Sequence, residues 1–365
     1  MNKIEENTNP PLAIIELKMG ATNLEVFAET LEKLATENKD ILVVSSDSRG
    51  SGKLVAFGQK FPDQIVEIGI AEQNLVGVAA GLASMGKKTF AVSPACFLTA
   101  RSLEQIKNDV CYSDNPVKLI GISAGVSYGA LGSTHHSLHD FAVLRAINNI
   151  TIVAPADNFE TNEAIKQAVS FEKPIYIRFG KKIMPLKLDA DYADAKNADF
   201  NRFESLRKSS GPTSQFQNES GSPANHEFQF GKGRIIRKGT DLTFIASGEG
   251  VLPAIEAAEK LSQENNIQCT VVSMHTIKPL DTELIAELAN NGSPIITVEE
   301  HSINGGLGEA VASFLIQNGF HNQFKIVGLP DDHTVSGSQN EIFEHYGISK
   351  KGLANLALVM LNKER

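Results

Sequence analysis

The chain has 365 residues, 42% of them hydrophobic, enough to build the cores of two domains. Its net charge of −9, with a pI near 5.6, excludes an extended nucleic-acid surface, because no Lys/Arg cluster could follow a phosphate backbone. No basic stretch followed by a long apolar segment opens the chain and no apolar run approaches about 18 residues, so neither export nor a membrane span is expected. Cys96, Cys111 and Cys269 lie far apart without CxxC spacing, which fits a reducing cytoplasm.

Residues 1–20 read as a weakly patterned N-terminal arm. From Asp40 onward, short apolar runs alternate with helical stretches: ILVVSS, the helix-like LVGVAAGLASMG, KTFAVSP, VKLIGIS, NITIVAPA, the helix-like ETNEAIKQAVSF, and PIYIRFG. That rhythm predicts an α/β domain over residues 21–186 with a mostly parallel sheet, its strands continuously apolar because helices cover both faces. Residues 187–237 are polar and turn-rich, and KSSGPTSQFQNESGSPANHE has too few aliphatic residues to offset ordering entropy, so a linker with a flexible centre is expected there. The rhythm then resumes with DLTFIASG, VLPAIEAAEKLSQENN, CTVVSMH, TELIAELANN, PIITVEE and GEAVASFLIQNG, a second and smaller α/β domain over 238–365.

The segment QIVEIGIAEQNLVGVAAGLASMG carries the most chemistry. A strand runs through Gly69, Ile70 and Ala71 into Glu72 and a helix whose Gly77, Ala80, Gly81 and Ser84 would let another backbone come close. Taken alone, Glu72 is an acid at a helix start, where the macrodipole favours it. His135, His136 and His139 in GSTHHSLHD do not have the spacing of three convergent metal ligands, so no metal is assigned to them.

In order and spacing, EIGIAEQN, FLTARSLEQIKND, GVSYGALGSTHHSLHD and IVAPAD resemble the pyrimidine-binding domain of transketolases. VVSMHTIKPLD and ITVEEHSINGGLG resemble the C-terminal domain of the same family, so the likeness spans residues 21–365 apart from the linker. The resemblance implies a thiamine diphosphate cofactor whose aminopyrimidine nitrogen pairs with Glu72, with Ile70 beside it and Phe97 stacked on the ring. The imino tautomer that Glu72 favours would then remove the thiazolium proton. It also implies that His135 lines the substrate channel and meets donor hydroxyls. Arg178, Lys181 and Lys182 in YIRFGKK are candidates for the substrate phosphate, and His301 is a candidate substrate contact from the second domain.

Four departures from the family pattern stand out. Ala130 and Leu131 replace an acidic pair, Asn23 replaces an arginine, Pro94 replaces a second aromatic residue, and His136 replaces a glutamine. The first two speak against an ordinary ketose-phosphate donor, and the lost acid suits a donor with unusual substitution next to the ketone, such as a branched ketose phosphate like apulose 4-phosphate, or a sulfo-sugar phosphate.

The sequence contains no GDG metal-and-diphosphate motif. The resemblance therefore implies that a second, N-terminal transketolase subunit supplies the Mg2+ and diphosphate ligands, in an α2β2 assembly with the helix after Glu72 near the contact. The expected activity is transfer of a two-carbon ketol unit from a ketose phosphate to an aldose phosphate such as glyceraldehyde 3-phosphate. Two rival readings are the β subunit of a 2-oxoacid dehydrogenase decarboxylase and a catalytically silent subunit.

Overall fold

A computed structural model describes residues 17–188 and 228–362. Residues 1–16 of the expected arm and most of the linker, including its flexible centre, lie outside the described residues. In chain order the strands are β1 Met19–Thr22, β2 Ile41–Ser45, β3 Ile65–Glu67, β4 Lys88–Pro94, β5 Lys118–Ile122, β6 Thr151–Val153, β7 Ile175–Arg178, β8 Ile183–Pro185, β9 Arg234–Arg237, β10 Leu242–Ala246, β11 Cys269–Ser273, β12 Thr276–Lys278, β13 Ile295–Ser302 and β14 Phe324–Leu329.

Two mostly parallel sheets flanked by helices form the protein, the predicted class. The larger, in order β12-β6-β7-β5-β4-β2-β3, is parallel except at β12; the smaller, β14-β13-β10-β11-β9, is parallel except at β9. β4 and β5 are buried almost throughout, as helix cover on both faces requires. The first helix, Asn23–Glu37, starts at a capping box in which Thr22 and Glu25 satisfy each other's backbone N–H groups.

The sequence rhythm gives no sign that the two halves interlock. β12 leaves the second half to pair antiparallel with β6, becoming the edge strand of the first sheet. The stretch read as linker to residue 237 ends in a strand, β9, whose Arg234 is buried and bonded to Asp157 and Glu160 of the first half. Among the described residues no helix is long and apolar enough to cross a membrane. The three cysteines are buried free thiols, all pushed up by burial, Cys96 to about 11 and Cys111 and Cys269 to about 12, which leaves them unreactive.

Candidate active site

The chemistry-bearing segments leave the same edge of the large sheet. β3, β4, β5 and β7 run parallel, and their C-terminal ends feed Glu72, Phe97, the histidine loop and Lys181 respectively. In open α/β sheets ligands bind outside this edge, because chains diverging from neighbouring strands leave a crevice there.

Glu72 opens the 13-residue helix Glu72–Ser84, after a turn in which Gly69 takes φ of 77°. Only 4% of it is exposed, and its Oε1 accepts a 2.9 Å hydrogen bond from Nη1 of Arg101. Phe97 and Arg101 stand four residues apart on the helix Ala95–Arg101, so they share a face, and the guanidinium lies 4.1 Å from the centroid of the Phe97 ring. The edge of His135 meets Phe97 at 5.4 Å and Tyr128 at 5.5 Å between ring centroids. Lys181 Nζ lies 4.6 Å over the Tyr128 ring. Glu72, Arg101, Phe97, His135, Tyr128 and Lys181 thus form one continuous line of contacts. Ile70 sits at the entry to the Glu72 helix and is 73% exposed.

The histidine loop is held in shape from behind. Gly129 takes φ of 49° and Gly132 of 73°, and a Cβ on Gly129 would press on the Gly337 carbonyl at 2.7 Å. Val126 N–H donates to Glu300 Oε1 at 3.0 Å and Ser302 N–H to the Leu138 carbonyl at 3.1 Å, so the second half braces the loop. The three histidines have separate partners. His135 Nδ1 meets Thr134 Oγ1, the buried His136 Nε2 meets the Gly129 carbonyl, and His139 Nε2 meets Thr99 Oγ1. Among the described residues no group of histidine, cysteine and acidic side chains is placed to hold a metal ion.

Arg178 and His301, expected to meet substrate, are instead interior. Arg178 Nε donates to Asp140 Oδ2 at 2.8 Å, and its Nη2 donates to the Glu300 and Ser137 carbonyls at 2.7 and 3.2 Å. Burial lowers its pKa, but the Asp140 and Glu300 carboxylates outweigh that and hold it above the ordinary arginine value. Its Nη1 faces Glu300 Oε2 at 3.7 Å, and only 6% of the residue is exposed, so its neighbours here are protein groups. His301 is fully buried, stacked on Phe141 at 5.0 Å with Nδ1 2.7 Å from the Ser302 carbonyl. Burial drives its pKa down to about 4, the charge of Asp140 opposing, so it stands neutral. Asn23 is also interior, donating to the Pro155 carbonyl and accepting from Asn158. Leu131 is 57% exposed on the histidine loop.

Sequence reasoning missed Arg101 and Tyr128. The signal for Arg101 was its position four residues after Phe97 in a helix; Tyr128 was an aromatic residue among the glycines of GVSYGALG.

A buried carboxyl beside a half-open aromatic face fits a flat heteroaromatic group that offers a hydrogen-bonding ring nitrogen. Two parallel-sheet domains with this constellation define a protein of the thiamine-diphosphate type. Residues 20–187 match the transketolase pyrimidine-binding domain and residues 231–353 the transketolase C-terminal domain. The chain is 44% identical to a subunit of the apulose-4-phosphate transketolase of Phocaeicola vulgatus, over 92% of this chain and 96% of that protein. It is 36% identical to a subunit of the apulose-4-phosphate transketolase of Actinobacillus succinogenes, over 91% of this chain and 96% of that protein. A solved split-gene transketolase, described as an inactive β4 tetramer, superposes with a TM-score of 0.75 at 31% identity, covering 95% of this chain and 100% of that one. The chain belongs to the transketolase family, as a C-terminal subunit of its split form. The family is thiamine-diphosphate dependent.

Proposed function

We propose that this chain works in the cytoplasm as half of a two-carbon ketol transferase whose other half, an N-terminal subunit, holds Mg2+ and the diphosphate, in an α2β2 assembly. The observation that carries the reading is the gathering of the buried Glu72 carboxyl, Phe97, His135 and Lys181 on one sheet edge, linked through Arg101 and Tyr128. Exposed Ile70 and the open face of the Glu72 helix, where a Cβ on Gly77 or Gly81 would meet nothing within 4 Å, support a partner closing over the site.

When bound, the cofactor supplies the carbanion equivalent and electron sink for cleaving the bond between the second and third carbons of the donor. The residues of this chain orient and protonate. Glu72 holds a proton between its carboxyl and the pyrimidine ring nitrogen, and its place at a helix start and in the interior fixes the direction of that bond. The Phe97 ring sets the plane of the pyrimidine. His135 hydrogen-bonds the donor's hydroxyl or developing oxyanion. Because Arg178 is committed inside the protein, the exposed ammonium of Lys181 is the phosphate ligand of this chain, with Lys182 secondary.

The relatives named for apulose 4-phosphate, together with Ala130 and Leu131 on the loop, support a branched ketose phosphate as donor and an aldose phosphate such as glyceraldehyde 3-phosphate as acceptor. The inactive β4 assembly of the split-gene relative supports a chain that is silent without its partner. The test is a steady-state assay of the chain co-expressed with the N-terminal subunit, with thiamine diphosphate and Mg2+, across linear and branched ketose phosphates. Turnover only with both subunits and lost in Glu72→Ala is expected. Turnover by the isolated chain, or none on any ketose with the partner, would overturn the reading.

A further inference from the structure

Arg101 has no role in the function proposed above, yet it makes both contacts this chain would offer to a pyrimidine. Its planar guanidinium lies 4.1 Å over the Phe97 ring while Nη1 donates to Glu72 Oε1 at 2.9 Å. We infer that Arg101 is a stand-in for the aminopyrimidine: it occupies the ring's place in the unloaded subunit and must swing out when the cofactor enters. The inference rests on the cofactor role proposed for Glu72 and Phe97.

The chemistry of the side chain suits the task. A guanidinium is flat, stacks on aromatic faces and presents N–H donors in its own plane, as an aminopyrimidine does. A carboxylate buried without a partner is costly, and Glu72 is only 4% exposed; an arginine at the site keeps the unloaded subunit from holding that charge uncompensated. The exposures of the two side chains are unequal, 46% for Arg101 against 4% for Glu72, so the arginine can leave for solvent while the acid stays. Arg101 is also the last residue of its helix, before a non-helical Ser102 at φ −112° and ψ 25°, so its side chain can reorient without dragging a helix interior.

The consequence is a competition. Every loading event must first displace the arginine, which lowers the measured cofactor affinity by the fraction of subunits in which the place is free. An arginine that instead remained on Glu72 to position it would have the opposite effect, since removing it would weaken cofactor binding.

Calorimetric titration of thiamine diphosphate, in saturating Mg2+, into the assembled two-subunit complex separates these cases. Arg101→Ala is expected to tighten binding by about threefold to tenfold. Arg101→Gln keeps a flat donor without the charge, and its affinity is expected between the two. In parallel, the unloaded Arg101→Ala chain should unfold at lower denaturant than wild type, and the difference should close once the complex is saturated with cofactor. Weaker or unchanged binding in both variants would overturn the inference while leaving the role of Glu72 intact. Failure of the wild-type complex to bind thiamine diphosphate at all would overturn both.

Discussion

Two clusters of charged and aromatic side chains lie on either side of the histidine loop, and they differ in how far solvent reaches them. On the sheet edge, Arg101 links Glu72 to Phe97 and Tyr128 links His135 to Lys181, with Phe97 and His135 half-buried and Lys181 exposed. Behind the loop, Arg178, Asp140, Tyr176, Glu300 and His301 are buried and closely bonded: Tyr176 and Arg178 both donate to Asp140 Oδ2, and Gln339 donates to both Glu249 and Glu300. Similar residue types thus have opposite tasks. A group with solvent on one side and a loose partner can exchange that partner for a ligand, whereas a buried ion pair that loses one member leaves a charge stranded. On the function proposed above, the first cluster is the reactive edge, and the second braces the loop that carries His135.

The comparison is broken most sharply at Glu72. Glu72→Gln, in the assembled enzyme with thiamine diphosphate and Mg2+, should cut kcat by about 1,000-fold or more, because the positioned proton relay is lost. Its circular dichroism spectrum and unfolding midpoint should stay close to wild type. Retention of a tenth of the activity would remove Glu72 from the mechanism.

Arg178 is the complementary case. Arg178→Met leaves Asp140 and Glu300 without their cation and should lower the stability of the chain by about 3–5 kcal/mol, read as a shift in the guanidinium midpoint. Arg178→Lys should lose much of that too, since a single ammonium cannot serve Asp140 and two carbonyls in the fixed directions of a guanidinium. A raised KM for the phosphorylated donor with unchanged unfolding would return Arg178 to the substrate site.

These cases show what was legible in the sequence. The two α/β halves were, because strands covered on both faces must be continuously apolar. Glu72, Phe97 and His135 were singled out because several motifs stood in order, and the structure brings them to one sheet edge; their roles there are those proposed above. The surroundings of Arg178 were not legible: YIRFGKK looks like a basic loop, but its arginine ends a buried strand beside an acid from a distant segment, Asp140. The burial of His301 was not legible either, since EEHS continues the buried strand β13. The pairing of β12 with β6, and of Arg234 with Asp157 and Glu160, is tertiary, and no local pattern in a three- or four-residue strand announces it.

A smaller effect is expected at Lys181, where the two clusters are told apart by substrate and not by stability. Lys181→Ala removes one exposed charge-assisted contact to a phosphate and should lower kcat/KM for a ketose phosphate by about tenfold to 100-fold. A dephosphorylated donor should be unaffected, and so should the unfolding midpoint. Equal losses on both donors would assign Lys181 to the Tyr128 packing alone.

The finest distinction is a pH slope within the buried cluster. Burial and the neighbouring charge of Glu249 push Glu300 from the ordinary carboxylate value of 4.5 up to about 8, with Arg178 opposing. Between those values the folded chain binds a proton that the unfolded chain has lost, so this group's contribution is full below about pH 4.5 and declines as pH rises toward 8. Buried neutral His301, pushed down to about 4 against an ordinary 6.5, acts the other way: between pH 4 and 6.5 the unfolded chain binds the extra proton, and stability rises with pH. Above pH 6.5 the histidine is silent, and Glu300 adds to a downward slope shared with Glu299 and Asp157, both pushed up to about 7 by burial. Glu300→Gln should therefore reduce the fall in unfolding free energy between pH 6.5 and 8, by an amount on the order of 1 kcal/mol, and should steepen the rise between pH 4.5 and 6.5, where the Glu300 slope no longer opposes that of His301. A variant whose slope above pH 6.5 matches wild type would show that Glu300 carries no proton in the folded chain, and that Arg178 alone balances it.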